Sequence, residues 1–308
     1  MILCVSPNLC YDRVVVVPGV SLGGVHRAVE AFPRAGGKGL NVARVVRELG
    51  EQPLVIGFAG GQTGHLIVRG ARQDGIPLRP VRTGGESRTC TLIIDPGRSE
   101  TVVNERGHPV SRQEERRLRR VIHRCLAGAR IVAIAGSMPP GISEDFVADM
   151  VTAAGDRATI VDSPRESFRR ALVRRPWVAK LNHQEVQETL GVSFPSVEDA
   201  VAAAREIRSR GARWAVITLG EHGALLATEE GVWHAHPPQV HHVSTVGAGD
   251  SLTAGLAVGL ARGLPAAEAL RVGVAAAAAD VATLLPGTVN PEAVRQLLRG
   301  VQVRFLGS

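Results

Sequence analysis

Three observations predict an α/β fold, a doubly wound and mainly parallel sheet in three layers with a small β-sheet lid. Short β-branched runs alternate with amphipathic helical stretches, several of those stretches start on capping signals, and two segments break the alternation with strands and turns but no long helix. The 308 residues, 44% of them hydrophobic, suffice to bury a substantial core. We read residues 1–308 as a single α/β domain.

The strands predicted in chain order are ILCVS (2–6), LVIGFA (54–59), RIVAIAG (130–136), TIVD (159–162), WVAKLN (177–182) and WAVITLG (214–220). Helices are predicted between them at 38–49, closed by Gly50, and at 64–74. Two more follow at 112–126, behind a Ser111/Glu114 capping box, and at 197–209, behind Ser196/Asp199. The segments near 12–31 and 78–104 carry VVVV, TCTLII and TVV between Gly, Pro and Arg turns, and these form the predicted lid. Beyond residue 248 the chain turns alanine-rich and helical, with a last helix start at Asn290-Pro291-Glu292.

Composition excludes several functions. The net charge of +7 suggests nucleic acid, but the arginines are spread along the chain and only 3% of residues are aromatic. The densest cluster, RQEERRLRR at 112–120, interleaves glutamates at helical spacing and reads as a solvated face. Cys4, Cys10, Cys90 and Cys125 show no CxxC spacing and no histidine at metal-ligand intervals, so neither a zinc site nor a disulfide framework is expected. The start, MILCVSPNLCYDRVVVV, lacks a basic lead and a cleavage site, and no charge-free run reaches membrane-spanning length, so the expected location is cytoplasmic. Only Lys38 and Lys180 are lysines among 36 basic residues. Each lies in a motif, where a compact ammonium is not replaceable by a guanidinium fork.

Two glycine-rich runs open helices. In STVGAGDSLTAG, the amides at a helix start suit an anion, and Asp250 beside them is either a base for an attacking hydroxyl or a helix-capping aspartate. In AGGKGLNVARVVRELG (35–50), Lys38 and Asn41 sit in the first turn, where the loop can cradle an anion or a polyol or merely cap a helix. Neither the Walker nor the dinucleotide spacing is met.

Together and in order, GGKGLNVARVVRELG and TVGAGDSLTAG resemble the two signatures of the PfkB (ribokinase-like) carbohydrate kinases. SPNLCYDR, AGSMPPG (135–141), AKLNHQEV (179–186) and ITLGEHGALL (217–226) extend the resemblance over essentially the whole chain. It implies a ribokinase-like fold, ATP and Mg²⁺ as cofactors, and Asp250 as the base, with the amides of Gly247, Ala248 and Gly249 as the anion hole. Asn182 and Glu185 match an NxxE motif and would position Mg²⁺, largely through waters; Leu181 stands where proline is usual. Lys180, Thr218 and Gly220 would face the nucleotide, with the helix around Ala275–Ala279 either beside the base or simply close-packed. Asp12 would accept from sugar hydroxyls, with Gly37 and Asn41 in the same pocket.

AGSMPPG and TVVNERGHPVS (101–111) resemble the phosphofructokinase and tagatose-phosphate kinase branch. That implies a sugar already phosphorylated, held by Arg88 with Arg27, Lys38 and Ser137; Cys90, where asparagine is usual, and Val25, where some members carry lysine, depart from the pattern. The expected reaction is phosphorylation of a ketohexose phosphate, fructose 1-phosphate first, with fructose 6-phosphate or tagatose 6-phosphate, an unphosphorylated sugar or nucleoside, and a non-catalytic sugar-phosphate sensor as the alternatives. The expected partners are the small molecules alone, with no nucleic acid and no membrane, and a homodimer through exposed lid strands.

Overall fold

The computed structural model of the protein describes residues 1–97, 99–191 and 196–307. Its strands are β1 (Ile2–Val5), β2 (Cys10–Val16), β3 (Glu30–Gly36), β4 (Pro53–Gly60), β5 (Leu78–Thr83), β6 (Arg88–Asp95), β7 (Ser99–Asn104), β8 (Ile131–Ala135), β9 (Ala158–Asp162), β10 (Val178–Asn182), β11 (Trp214–Thr218), β12 (Ala224–Ala227), β13 (Val232–His236) and β14 (Gln302–Phe305). The helices are α1 (Lys38–Glu48), α2 (Gly61–Gln73), α3 (Arg112–Leu126), α4 (Phe146–Ala154), α5 (Glu166–Leu172), α6 (His183–Leu190), α7 (Val197–Ser209), α8 (Ala248–Ala261), α9 (Ala266–Val281) and α10 (Pro291–Gly300). No helix among the described residues is long and apolar enough to cross a membrane.

A ten-stranded sheet runs in the order β14-β13-β12-β11-β10-β9-β8-β1-β4-β5. It is parallel from β11 to β5 and antiparallel across β11-β12-β13-β14. Its central strands are mostly apolar and buried because helices cover both faces. Leu3 and Val5 of β1 join the core built with α3, α4, α5 and α7, whereas Ile2 and Cys4 join the core built with α1, α2, α8, α9 and α10. From β1 the chain moves one way to β4 and β5, then crosses back to β8 and on to β11. That reversal opens a crevice at the carboxyl ends of β1 and β8, where open α/β sheets bind ligands.

The second sheet, of order β3-β2-β6-β7, stands apart from the first. Its apolar side, Val14, Leu92 and Ile94, packs on Val246, Leu284 and Leu285, so it leans over the start of α8. Residues 78–83, which the sequence grouped with the small sheet, form β5 and pair in parallel with β4 at the edge of the large one. A lone short strand after a helix reads alike in either sheet, and only its partner decides.

The predicted helices hold, with α2 starting three residues earlier than expected. Ser111 and Glu114 make a reciprocal capping box, while Ser196 caps Asp199 N and instead donates its hydroxyl to the shorter Asp199 carboxylate. The antiparallel β12, β13 and β14 and the helices α4, α5 and α6 were not predicted. β12 spans only four residues after a glycine turn, too few for a pattern to show. α8 and α9 pack closely through glycine, since a Cβ on Gly255 would lie 2.5 Å from the Gly273 Cα.

Candidate active site

A cleft of about 2090 Å³ runs between the small sheet and the carboxyl ends of the large one. That is roughly twice the upper end of an ordinary single-ligand pocket of about 1,000 Å³, so it has room for two small molecules side by side. Asp12, Arg88 and Cys90 of the small sheet, Thr218 at the end of β11 and Gly220 beyond it, Ala277 and Ala278 of α9, and Asp250 of α8 all line it.

Asp250 is fixed by a glycine turn. Gly247, the residue before α8, has φ +99°, and a Cβ there would stand 2.8 Å from Asp280 Oδ2 and from Pro286. Only glycine fits both the angle and the space. Asp250 then falls in the first turn of α8, 6% exposed, with the Asn41 amide donating to its Oδ2 at 2.9 Å. Burial pushes its carboxyl up to about 6, although Lys38 draws it back. The Asn41 amide oxygen in turn accepts from Arg44 Nη1 at 3.0 Å, and Arg44 Nε is held at 2.7 Å by Asp74. A chain of charge-assisted bonds from Asp74 through Arg44 thus fixes which end of the Asn41 amide faces Asp250.

The two lysines meet on one carboxylate. Asp162, fully buried at the end of β9, accepts from Lys38 Nζ at 2.7 Å through Oδ1, and from Lys180 Nζ at 2.8 Å and Thr253 Oγ1 at 2.9 Å through Oδ2. Burial alone would raise its pKa, but Lys180 and Lys38 outweigh burial and hold it well below the usual carboxylate range. Burial likewise opposes the Lys38 ammonium, and Asp162, Glu185 and Asp250 outweigh it, so Lys38 stays charged above the usual lysine range. Asp162 ties the starts of α1 and α8 to the ends of β9 and β10.

The structure gathers most of the predicted residues. Gly37, Lys38, Asn41, Arg88, Ser137, Lys180, Asn182, Glu185, Thr218, Gly220 and Gly247 through Asp250 all line the cleft with Asp12. The Asp12 carboxylate lies over Gly36, which pairs with Cys10 across β2 and β3, and a Cβ on Gly36 would lie 1.9 Å from Asp12 Oδ2. Arg88 donates to Asn8 O at 3.2 Å and Glu105 O at 3.1 Å, and Asn8 Nδ2 donates to Ser137 Oγ at 3.0 Å, so both predicted phosphate contacts share a brace. Arg27 differs from expectation: it lies in the exposed segment between β2 and β3, outside the cleft lining. The amide of Ala248 also departs, being bonded at 3.2 Å to Thr245 O.

Asn182 and Glu185 form a reciprocal capping box at the start of α6, with Glu185 N 2.7 Å from Asn182 Oδ1 and Asn182 N 2.9 Å from Glu185 Oε2. Glu185 Oε1 also accepts from Lys38 at 3.4 Å. Both side chains line the cleft, and an amide and a carboxylate oxygen are hard donors that fit a water-rich Mg²⁺. Of the alanine-rich helix, Ala277 and Ala278 line the cleft whereas Ala275, Ala276 and Ala279 lie in the core, so close packing accounts for one face and the other is open to the cleft.

Sequence reasoning missed Asp162, Arg44 and Asn8. Asp162 left one signal, an acidic residue ending an otherwise apolar parallel strand at the crevice.

A buried carboxyl at a helix start thus stands near two lysines in a cleft with room for two ligands. A sequence profile for the pfkB family carbohydrate kinases matches residues 3–293, and the chain belongs to that family. It is 31% identical to 1-phosphofructokinase of Bacillus subtilis over 99% of this chain and 100% of that one. It is 32% identical to 1-phosphofructokinase of Escherichia coli K12 over 96% of each chain. Phosphofructokinase-2 of Escherichia coli, solved with fructose-6-phosphate, matches with a TM-score of 0.87 at 27% identity, covering 97% of this chain and 98% of that one.

Proposed function

We propose that the protein transfers the γ-phosphoryl group of ATP to a hydroxyl of a ketohexose phosphate, fructose 1-phosphate giving fructose 1,6-bisphosphate. The observation that carries this is Asp250 itself, a carboxyl raised to about 6 at the mouth of a helix start. It is ionised at neutral pH yet basic enough to take a proton from the attacking hydroxyl. The amides of Gly247 and Gly249 and the ammonium of Lys180, whose Nζ would lie 3.3 Å from a Cβ on Gly249, meet the charge spreading over the transferred group. Asp12 orients the sugar, Arg88 and Ser137 hold the phosphate it already carries, and Thr218 and Gly220 border the nucleotide. Mg²⁺ would be held by Asn182 and Glu185, and when bound it neutralises charge on the nucleotide phosphates. The names of the relatives favour fructose 1-phosphate over its alternatives. The same reading has two copies pairing across the small sheet, where Val102 and Val103 are exposed.

An ADP-release screen over fructose 1-phosphate, fructose 6-phosphate, tagatose 6-phosphate, fructose and ribose tests this. The highest kcat/KM is expected for fructose 1-phosphate, and a preference for a free sugar overturns the substrate. Arg88→Ala should raise KM for the phosphorylated ketose far more than for fructose, because a desolvated phosphate loses a charge-assisted contact. Equal effects on both would exclude a phosphate contact there.

A further inference from the structure

The sugar end of the cleft contains two cysteines beside Asp12 that the phosphoryl-transfer reading does not use. β2 and β6 pair in parallel with Asp12 opposite Cys90 and Cys10 opposite Arg88, so Cys10, Asp12 and Cys90 project from one face of the small sheet. Their two sulfurs and a carboxylate oxygen all lie within 4.8 Å of one another. The Cys10 thiol donates to Asp12 Oδ1 at 2.9 Å, and all three residues line the cleft.

We propose that Cys10, Asp12 and Cys90 form a binding site for a thiophilic divalent cation of the zinc type, with its fourth position open to the cleft. Two sulfurs and one oxygen are a zinc donor set. Bond lengths of about 2.3 Å to sulfur and about 2.0–2.2 Å to oxygen place tetrahedral ligand atoms about 3.6–3.8 Å apart. Cys10 Sγ and Asp12 Oδ1, at 2.9 Å, would separate by less than the reach of a side-chain rotation, and the cation would replace the hydrogen bond between them. Two thiolates and a carboxylate around a dication leave one net negative charge, and the Arg44 and Arg88 guanidiniums act on the same group. A disulfide fits less well. Cys10 and Cys90 are offset by two residues on neighbouring strands, a diagonal of about 7–8 Å, at or beyond the span a disulfide bridges. The cation would occupy the carboxylate assigned above to the sugar hydroxyls, so it should exclude the sugar; this last consequence rests on the proposed function, and the metal site does not.

Cobalt titration of the reduced full-length chain tests the site. One equivalent should give thiolate-to-metal charge-transfer absorption, which Zn²⁺ abolishes by displacement. Cys10→Ser and Cys90→Ser should each weaken the metal at least about 10²-fold, since even outer-shell partners are worth 10–100-fold, whereas Cys125→Ser should keep it. Circular dichroism verifies that each variant is folded. Absence of the charge-transfer band in the parent chain, or an equal band in the Cys10→Ser/Cys90→Ser double variant, would overturn the proposal. Separately, Zn²⁺ should raise KM for the sugar substrate and leave kcat unchanged. A cobalt band present without competition against sugar would leave the metal site standing and displace Asp12 from the sugar reading instead.

Discussion

Asp162 and Asp250 are both buried and both feel the charges of Lys38 and Lys180, yet their proton affinities move in opposite directions. Asp162 receives two ammonium groups and a hydroxyl, and its carboxyl is held below the usual range. Asp250 receives one neutral amide, and burial prevails, raising it to about 6. The difference teaches that a buried acid becomes structural or reactive through its partners rather than its depth. A fully ion-paired carboxylate has no proton affinity left to use in a reaction, whereas an underpaired one keeps it.

Four experiments can break or sharpen that contrast. The largest effect is expected from Asp162→Asn, which leaves the Lys180 ammonium, 2% exposed, without a counter-charge. Breaking a buried ion pair costs about 3–5 kcal/mol, and urea unfolding at neutral pH should show a loss of that order. The sign follows from the depressed carboxyl: its contribution is present above the unfolded value near 4 and is lost as pH falls through the folded one. Retained stability would mean that Asp162 is not the structural member of the pair.

Asp250→Asn should lower kcat by at least about 10²-fold with KM for both substrates little changed, because only proton removal is lost. Its stability should move the other way. The folded carboxyl holds its proton more tightly than the unfolded one, so stability falls as pH rises from about 4 to about 6, and the neutral side chain removes that penalty. A variant with full turnover, or one less stable than the parent at pH 8, would erase the contrast.

A smaller effect is expected in the pH profile. kcat/KM should climb with pH through a midpoint of about 6 as Asp250 ionises. Asn41→Ala removes the bond that favours the charged form, so the midpoint should shift upward; a downward shift would assign the limb to another group.

The smallest effect separates capping from cation binding at α6. Asn182→Ser keeps a good helix cap and should change stability by no more than a few tenths of a kcal/mol. If Asn182 also positions Mg²⁺, the concentration needed for half-maximal activity should rise; an unchanged requirement would make the residue a cap and nothing more.

Much of this was legible in the sequence. β-branched runs and capping boxes mark the parallel strands and most helices because period and end chemistry are local. Gly247 with Asp250, and Gly37 with Lys38 and Asn41, are visible for the same reason, since tight turns into helices require glycine in the chain itself. The short antiparallel strands and the membership of 78–83 in the large sheet were not, because a four-residue strand has no pattern and its sheet is chosen by distant partners. Arg27 shows the limit for sites, as motif position put it in the pocket while the loop between β2 and β3 holds it outside.

The sequence alone determined the layered α/β plan, the two glycine turns and the presence of two motif-bound lysines. Tertiary structure decided that both lysines meet on Asp162, that Asn41 is oriented by Arg44 and Asp74, and that Cys10 and Cys90, 80 residues apart, stand beside Asp12. The physical reason is range: periodicity, turns and caps act over a few residues of chain, whereas ion pairs and donor clusters depend on which strands lie side by side.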